Sequence, residues 1–254
     1  MRNVAFAVAG LLIGSFLTVV VHRVPERRSV VGGRSMCPGC GKVIAARDNI
    51  PVVSWILLHG RCRNCGARIS PMYPLTELLT AGLFLGASLS FDDVWVAVTM
   101  ALFLAVQVAV SIIDLQRRII PNRIVYPSVV VFGVAMLVLD LTDRGPNVVH
   151  GLIGLAAYGG ALLVVALIAP RGMGLGDVKL AGLIGLVLGS IALSRVAVAA
   201  GAGILLGGLA GVVALIMGRS RKTALPFGPF LAAGAAIAVF FGPQIANAYL
   251  NLMT

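Results

Sequence analysis

Acid is scarce in this chain. Nine Asp and Glu face 20 Lys and Arg, and charged residues make up only 11% of the 254 positions. Soluble domains carry roughly 25% charged residues, so the shortage excludes an ordinary water-soluble globule. Histidine occurs three times and never as HExxH, which removes zinc proteolysis of that type. No strand–GxGxxG–helix arrangement is present, so a soluble dinucleotide site is unsupported. The glycine-rich GAGILLGGLAG lies inside an apolar run, where small residues mark close helix packing. With two tryptophans in the whole chain, a nucleic-acid-binding module has little to stack bases on, and no nucleic-acid partner is expected.

What the chain has is apolar length, 59% of residues being hydrophobic. A helix needs about 20 mostly apolar residues to span a bilayer. Eight stretches approach that: 4–21, 75–89, 94–113, 124–139, 148–169, 178–193, 196–217 and 227–248. The predicted fold class is therefore an all-α polytopic membrane protein of about eight transmembrane helices. Its divisions are a first helix (1–22), a cytosolic insert (23–73) and a seven-helix membrane domain (74–254). The first stretch runs into HRVPERR without a small-x-small cleavage site, so it reads as a retained helix with its N-terminus outside. With that orientation the inner segments 22–74, 114–123, 170–179 and 218–226 hold 17 of the 20 Lys and Arg. The positive-inside rule is satisfied, and the net charge of +11 needs no partner beyond anionic membrane lipid.

The insert carries all four cysteines, as CPGC (Cys37, Cys40) and CRNC (Cys62, Cys65), with 21 residues between the pairs. That is close to the spacing of structural zinc knuckles, in which four thiolates close a tetrahedron and leave no place for a catalytic water. Two disulfides are the alternative, which a reducing cytosol disfavours. His59, three residues before Cys62, reads as a surface histidine, with a substitute ligand as the lesser alternative. His22 fits an interfacial place, and His150 falls on the outer side.

So few acids can be taken one at a time. Asp92, Asp93, Asp140 and Asp143 fall in short outer loops and read as solvated. Glu26 and Asp48 lie in the insert, and Glu77 opens the second span. Asp114 ends the third span in SIIDLQRRIIPN, and Asp177 opens the sixth in GMGLGDVK. Two crossings separate them, so both return to one membrane face. Two adjacent carboxylates share a proton and can serve as general base and general acid, the chemistry of aspartyl proteolysis. The glycines before Asp177 would let an extended substrate backbone approach closely. The bland alternatives are that Asp177 caps its helix and that Asp114 is balanced by Arg117 and Arg118.

Taken together, GSFLTVVVHRVP in the first helix, the two CxxC pairs, DLQRRIIPN and GLGD at Gly174–Asp177 resemble the type IV prepilin peptidase family over nearly the whole chain. That family is the bifunctional leader peptidase and N-methyltransferase of bacterial pilus and type II secretion systems. The resemblance implies Asp114 and Asp177 as the catalytic pair. Gly174, Gly176 and Lys179 fall in the GxGDxK loop, and Cys37, Cys40, Cys62 and Cys65 in the zinc-binding segment. It further implies cleavage of basic leaders from prepilin or pseudopilin precursors at the cytosolic face of the inner membrane. Methylation of the new N-terminus from S-adenosylmethionine follows by resemblance alone, with Glu26, Asp48 and Glu77 as candidate cofactor partners. Thr18 stands where the family usually has asparagine. The competing readings are a leader peptidase without methylation and a cation-binding transporter; the latter often shows internal repeats, and none is visible between the two halves.

Overall fold

A computed structural model describes residues 1–33, 35–169, 173–218 and 225–253. Gly172 of the glycine loop and the charges Arg34, Arg171, Arg219, Arg221 and Lys222, expected on the inner face, lie outside the described residues. The helices are α1 (Arg2–Arg23), α2 (Val53–Leu57), α3 (Met72–Ser90), α4 (Val94–Arg117), α5 (Asn122–Leu141), α6 (Val148–Gly154), α7 (Gly160–Ile168), α8 (Leu175–Ile191), α9 (Leu193–Ile216) and α10 (Gly228–Met253). A π-helical turn, Leu155–Gly159, joins α6 to α7 in one rod. Among the described residues there is no strand, only isolated bridges pairing Met36 with Val43 and Arg61 with Arg68 in the cysteine loops.

Seven of these rods are long and apolar enough to cross a membrane, against the eight apolar stretches of the sequence. The eighth, α8, has 17 residues, about 25 Å of helix, at the lower limit for a span. It is also the centre of the bundle: every residue from Leu180 to Ser190 is buried. Glycines let its neighbours come that close. A Cβ on Gly154 of α6 would strike the backbone of Gly185, and one on Gly189 would lie 2.7 Å from the His150 carbonyl. The π-turn re-phases the rod so that Gly159 meets Gly182 of α8. Without water to drive burial, such small-residue seams hold membrane helices together.

The same device joins α1 to α3. A Cβ on Gly10 would lie 2.6 Å from Ala81 Cα, and one on Gly14 2.7 Å from Glu77 Cα. The two helices are therefore antiparallel, and α1 ends at the same end of the bundle as α4. An ion pair between Glu26 and Arg117 at 3.5 Å ties those ends together.

Several polar groups at the other end have definite duties. Asp93, expected to be merely solvated, caps α4 by accepting from the Trp95 and Val96 N–H groups and pairs with Arg144 at 2.7 Å. Asp140 accepts the Val148 N–H at 2.9 Å. Arg195, read as an outer-segment charge, is buried in the first turn of α9 and donates to the Ala238 and Val239 carbonyls of α10. Pro243 explains the site: it has no N–H for the carbonyl four residues back, and Arg195 fills the vacancy.

Candidate active site

Asp114 and Asp177 arrive from separate helices. The apolar run of α4 continues one turn past its last hydrophobic stretch and stops at Arg118, whose left-handed φ of 55° ends the helix while its N–H bonds the Asp114 carbonyl. Asp114 is thereby fixed in the final turn, 5% exposed. Arg117 turns away to Glu26, so the expected balance of Asp114 by its neighbouring arginines is not what is seen. Its carboxylate instead accepts the Gly228 N–H at 2.9 Å. Gly228 begins α10, and that N–H is one of the donors every helix start leaves free.

Asp177 sits in the first turn of α8, half-buried, where Oδ2 accepts the Gly174 N–H at 3.3 Å. The helix-cap reading is thus realised in part, and it leaves the other carboxylate oxygen free of that bond. Ile120, six residues after Asp114, packs on Gly176, the residue before Asp177, which sets the two aspartates at the same end of the bundle. Among the described residues neither has a cationic side chain within 4.0 Å. Two carboxylates from spans separated by two crossings therefore lie at one end of the bundle.

The glycines divide their work. Gly176 is taken up by packing: a Cβ there would lie 2.9 Å from Ile120 Cβ, so the loop after Asp114 presses directly on the loop before Asp177. Gly174 is exposed, and the nearest atom to an added Cβ would be Asp177 Oδ2 at 3.5 Å. Among the described glycines of the loop, Gly174 has the open flank that backbone approach requires. Lys179 faces α5, donating to Asn122 Oδ1 at 3.1 Å and lying 5.0 Å over the Tyr126 ring.

Sequence reasoning missed Gly228 and Ile120. A backbone donor has no side chain to advertise it. The available signal was a glycine between Pro226 and Pro229 at the head of the last apolar run.

In the insert, the four cysteine sulfurs lie within 4.8 Å of one another, and Cys37 and Cys65 are 3.8 Å apart. A tetrahedral four-thiolate site with metal–sulfur bonds of ~2.3 Å has edges of about 3.8 Å. The cluster could hold a metal ion, and His59 is not part of it. Gly41 and Gly66 close the two knuckles at φ 67° and 70°. The N–H groups of Cys65 and Asn64 draw the Cys62 thiol down to about 7. At Cys65 the Ala67 N–H pulls the same way, but burial and the neighbouring thiols outweigh it and push the group up to about 11.

The candidate cofactor partners are occupied differently. Glu26 pairs with Arg28 and Arg117, and Asp48 with Arg63 at 2.7 Å. Glu77, 6% exposed, accepts the Val52 N–H at 2.7 Å. Thr18 donates to the Ser15 carbonyl within α1.

Comparison with known proteins agrees over both parts of the chain. The Bacterial Peptidase A24 N-terminal domain matches residues 8–91, and the Type IV leader peptidase family matches residues 101–241. A Bacillus subtilis (strain 168) protein named prepilin leader peptidase/N-methyltransferase is 35% identical over 244 residues, 96% of each chain. The Type 4 prepilin-like proteins leader peptide-processing enzyme of Escherichia coli O78:H11 (strain H10407 / ETEC) is 33% identical over 92% of this chain and 91% of its own. A prepilin leader peptidase/N-methyltransferase of Burkholderia pseudomallei (strain 1026b) is 35% identical over 94% of this chain and 86% of its own. No solved structure matches. The chain belongs to the Type IV leader peptidase family.

Proposed function

We propose that this family member is a membrane aspartyl endopeptidase that removes the basic leader from prepilin-like precursors and then methylates the new N-terminus. The observation that carries the reading is the placement of Asp114 and Asp177 at one end of the bundle, where Ile120 of the loop after Asp114 packs on Gly176 and, among the described residues, neither carboxylate has a cationic partner. One carboxylate takes a proton from the attacking water while the other, protonated, donates to the scissile carbonyl; collapse of the tetrahedral adduct returns a proton to the leaving amine. The Gly228 N–H orients Asp114, and the open flank of Gly174 receives extended substrate backbone. The precursor's helix stays in the bilayer, so the scissile bond need only reach the membrane surface.

In this reading the N-terminus is outside, and the insert and both aspartates face the cytosol of a bacterial inner membrane. The chain divides as 1–22, 23–73 and 74–254. The cysteine cluster holds structural zinc: the donor set is soft and the sulfur spacing fits, with all four positions filled by protein. S-adenosylmethionine enters through the relatives' names and supplies an activated methyl group. A cavity of about 310 Å³ where the insert meets the end of α1, lined by Arg23, Arg28, Ser29, Met36 and Val43, is of ligand size. Met36 and Val43 suit the cofactor's apolar parts; Arg23 holds the Ser29 and Gly32 carbonyls and Arg28 pairs with Glu26, so a bound carboxylate would share these cations with their present partners.

Incubating the purified chain with a pilin-like precursor and S-adenosylmethionine, followed by mass measurement of the product's N-terminus, reports both activities. Loss of the leader with a gain of one methyl is expected. An intact precursor contradicts the peptidase reading, and a cleaved but unmethylated product removes the second activity.

A further inference from the structure

Residues 50–58 read IPVVSWILL, an apolar island within the insert that composition marks as polar. Its helix, α2, does not use those side chains to build a core. Ile50, Val53, Ile56 and Leu57 all point outward, and Leu57 is 70% exposed. A water-facing loop gains nothing from such a surface.

The backbone of the same segment is unusually well provided for. The Ile50 N–H goes to Ser54 Oγ at 2.9 Å, and that hydroxyl donates to the Arg47 carbonyl. The Val53, Ser54, Ile56 and Leu58 N–H groups find carbonyls within the segment, and the Trp55 indole N–H reaches the Ile69 carbonyl at 3.1 Å. The Val52 N–H is supplied from outside, by Glu77 of α3 at 2.7 Å. Val52 holds a φ of 61°, which β-branched residues rarely adopt, so the contact is bought with backbone strain.

Glu77 also sets the level. Its Cα packs on Gly14 of α1, nine residues before that helix ends at Arg23, and five residues into α3. At 1.5 Å per residue the Glu77 Cα lies about 7–13 Å inside the ends of the two spans, and its side chain, leaning toward the start of α3, holds Val52 in the outer part of that leaflet. Irregular backbone is tolerated at such depth only when its polar groups are satisfied by protein. Exposed Arg47 and Arg61 flank the island, where basic side chains meet headgroups.

We propose that residues 50–58 form a re-entrant anchor in the leaflet nearest the two aspartates, with Ile50, Val53, Ile56 and Leu57 seated among lipid acyl chains. The occupant is lipid rather than another protein because the anchor point, Glu77, lies on a membrane span, and the flanking charge left after Asp48 pairs with Arg63 is basic. The cysteine knuckles on either side of the segment are thereby pinned to the membrane surface rather than held on a free tether.

The test uses the full chain in vesicles of phosphatidylethanolamine and phosphatidylglycerol. A spin label is introduced through an unnatural side chain, sparing the cysteines, at Leu57 or at exposed Lys42 of the first knuckle. Power saturation then compares collision with oxygen, which partitions into lipid, and with a water-soluble nickel chelate. The Leu57 label is expected to favour oxygen and to meet nickel several-fold less than the Lys42 label. Glu77→Leu, which removes the acceptor for Val52, should shift the Leu57 label toward water, whereas Glu77→Gln, which keeps one, should not. Equal nickel access at both labels overturns the anchor. So does protection of Leu57 only after a pilin-like precursor is added, which would assign the surface to substrate.

Discussion

Gly228→Ala is the sharpest single perturbation of the site. An added Cβ would stand 2.8 Å from Asp114 Oδ2 and 3.3 Å from its Cγ. The intruded atoms are the end of a side chain, so the carboxylate can rotate away without displacing a helix, and the chain should still fold. The casualty is the 2.9 Å bond from the Gly228 N–H and the aim it gives Asp114. A hydrogen bond to a charged group contributes roughly 1.5–3 kcal/mol, which corresponds to a loss of roughly ten- to hundredfold in kcat/KM for precursor cleavage. The loss should fall mainly on kcat, because the bond orients a catalytic group rather than substrate. Gly211→Ala, on the open side of α9 with nothing within 4 Å of its Cβ, is the matched control and should cleave normally. A Gly228→Ala enzyme as fast as the parent would mean that Asp114 needs no orientation from α10.

Metal analysis should find about one zinc per purified chain, lost on Cys37→Ser or Cys62→Ser; finding none removes the site. In metal-stripped protein Cys62, drawn down to about 7, is half thiolate at that pH, while Cys65, pushed up to about 11, remains a thiol. Iodoacetamide at neutral pH should therefore mark Cys62 well before Cys65, with the gap closing as pH rises toward 11; equal rates at neutral pH would contradict the assignment. Arg195→Met leaves the carbonyls beside Pro243 without their donor, and should lower stability by roughly 1–3 kcal/mol in thermal unfolding with cleavage per folded molecule unchanged. Gly14→Leu wedges α1 from α3 and should reduce the amount of protein accumulating in the membrane, whereas Gly82→Ala, in open space on α3, should not.

Much of this was legible because hydropathy and glycine patterns are strong signals in a lipid-solvated chain. The stretch 94–113 became α4, ending at Arg117, and 4–21 became α1 with two residues added at each end. The sixth stretch, 178–193, was displaced: α8 starts at Leu175, because the Asp177 carboxylate and the extended Gly174 form a helix start that apolar counting passes over. The two aspartates were reachable by parity, since a charge at a span's end is rare and two crossings preserve the face. Gly228 was not reachable, because its contribution is a backbone N–H. The partners of Arg195 were not reachable, because a single charge looks like a loop boundary unless the proline that frees a carbonyl for it, 48 residues on, is considered at the same time. The island at 50–58 was absorbed into the insert because nine residues are too few to span a bilayer.

Double-mutant kinetics test the pairing of Asp114 and Asp177 most directly. Precursor cleavage is measured for Asp114→Asn, Asp177→Asn and the double variant, each accumulating normally in the membrane. If the two carboxylates work as one acid–base unit, either single change should cost about two to four orders of magnitude, and the double variant should be no slower than the singles. Full cleavage by either single variant, or losses that multiply in the double, would contradict the account.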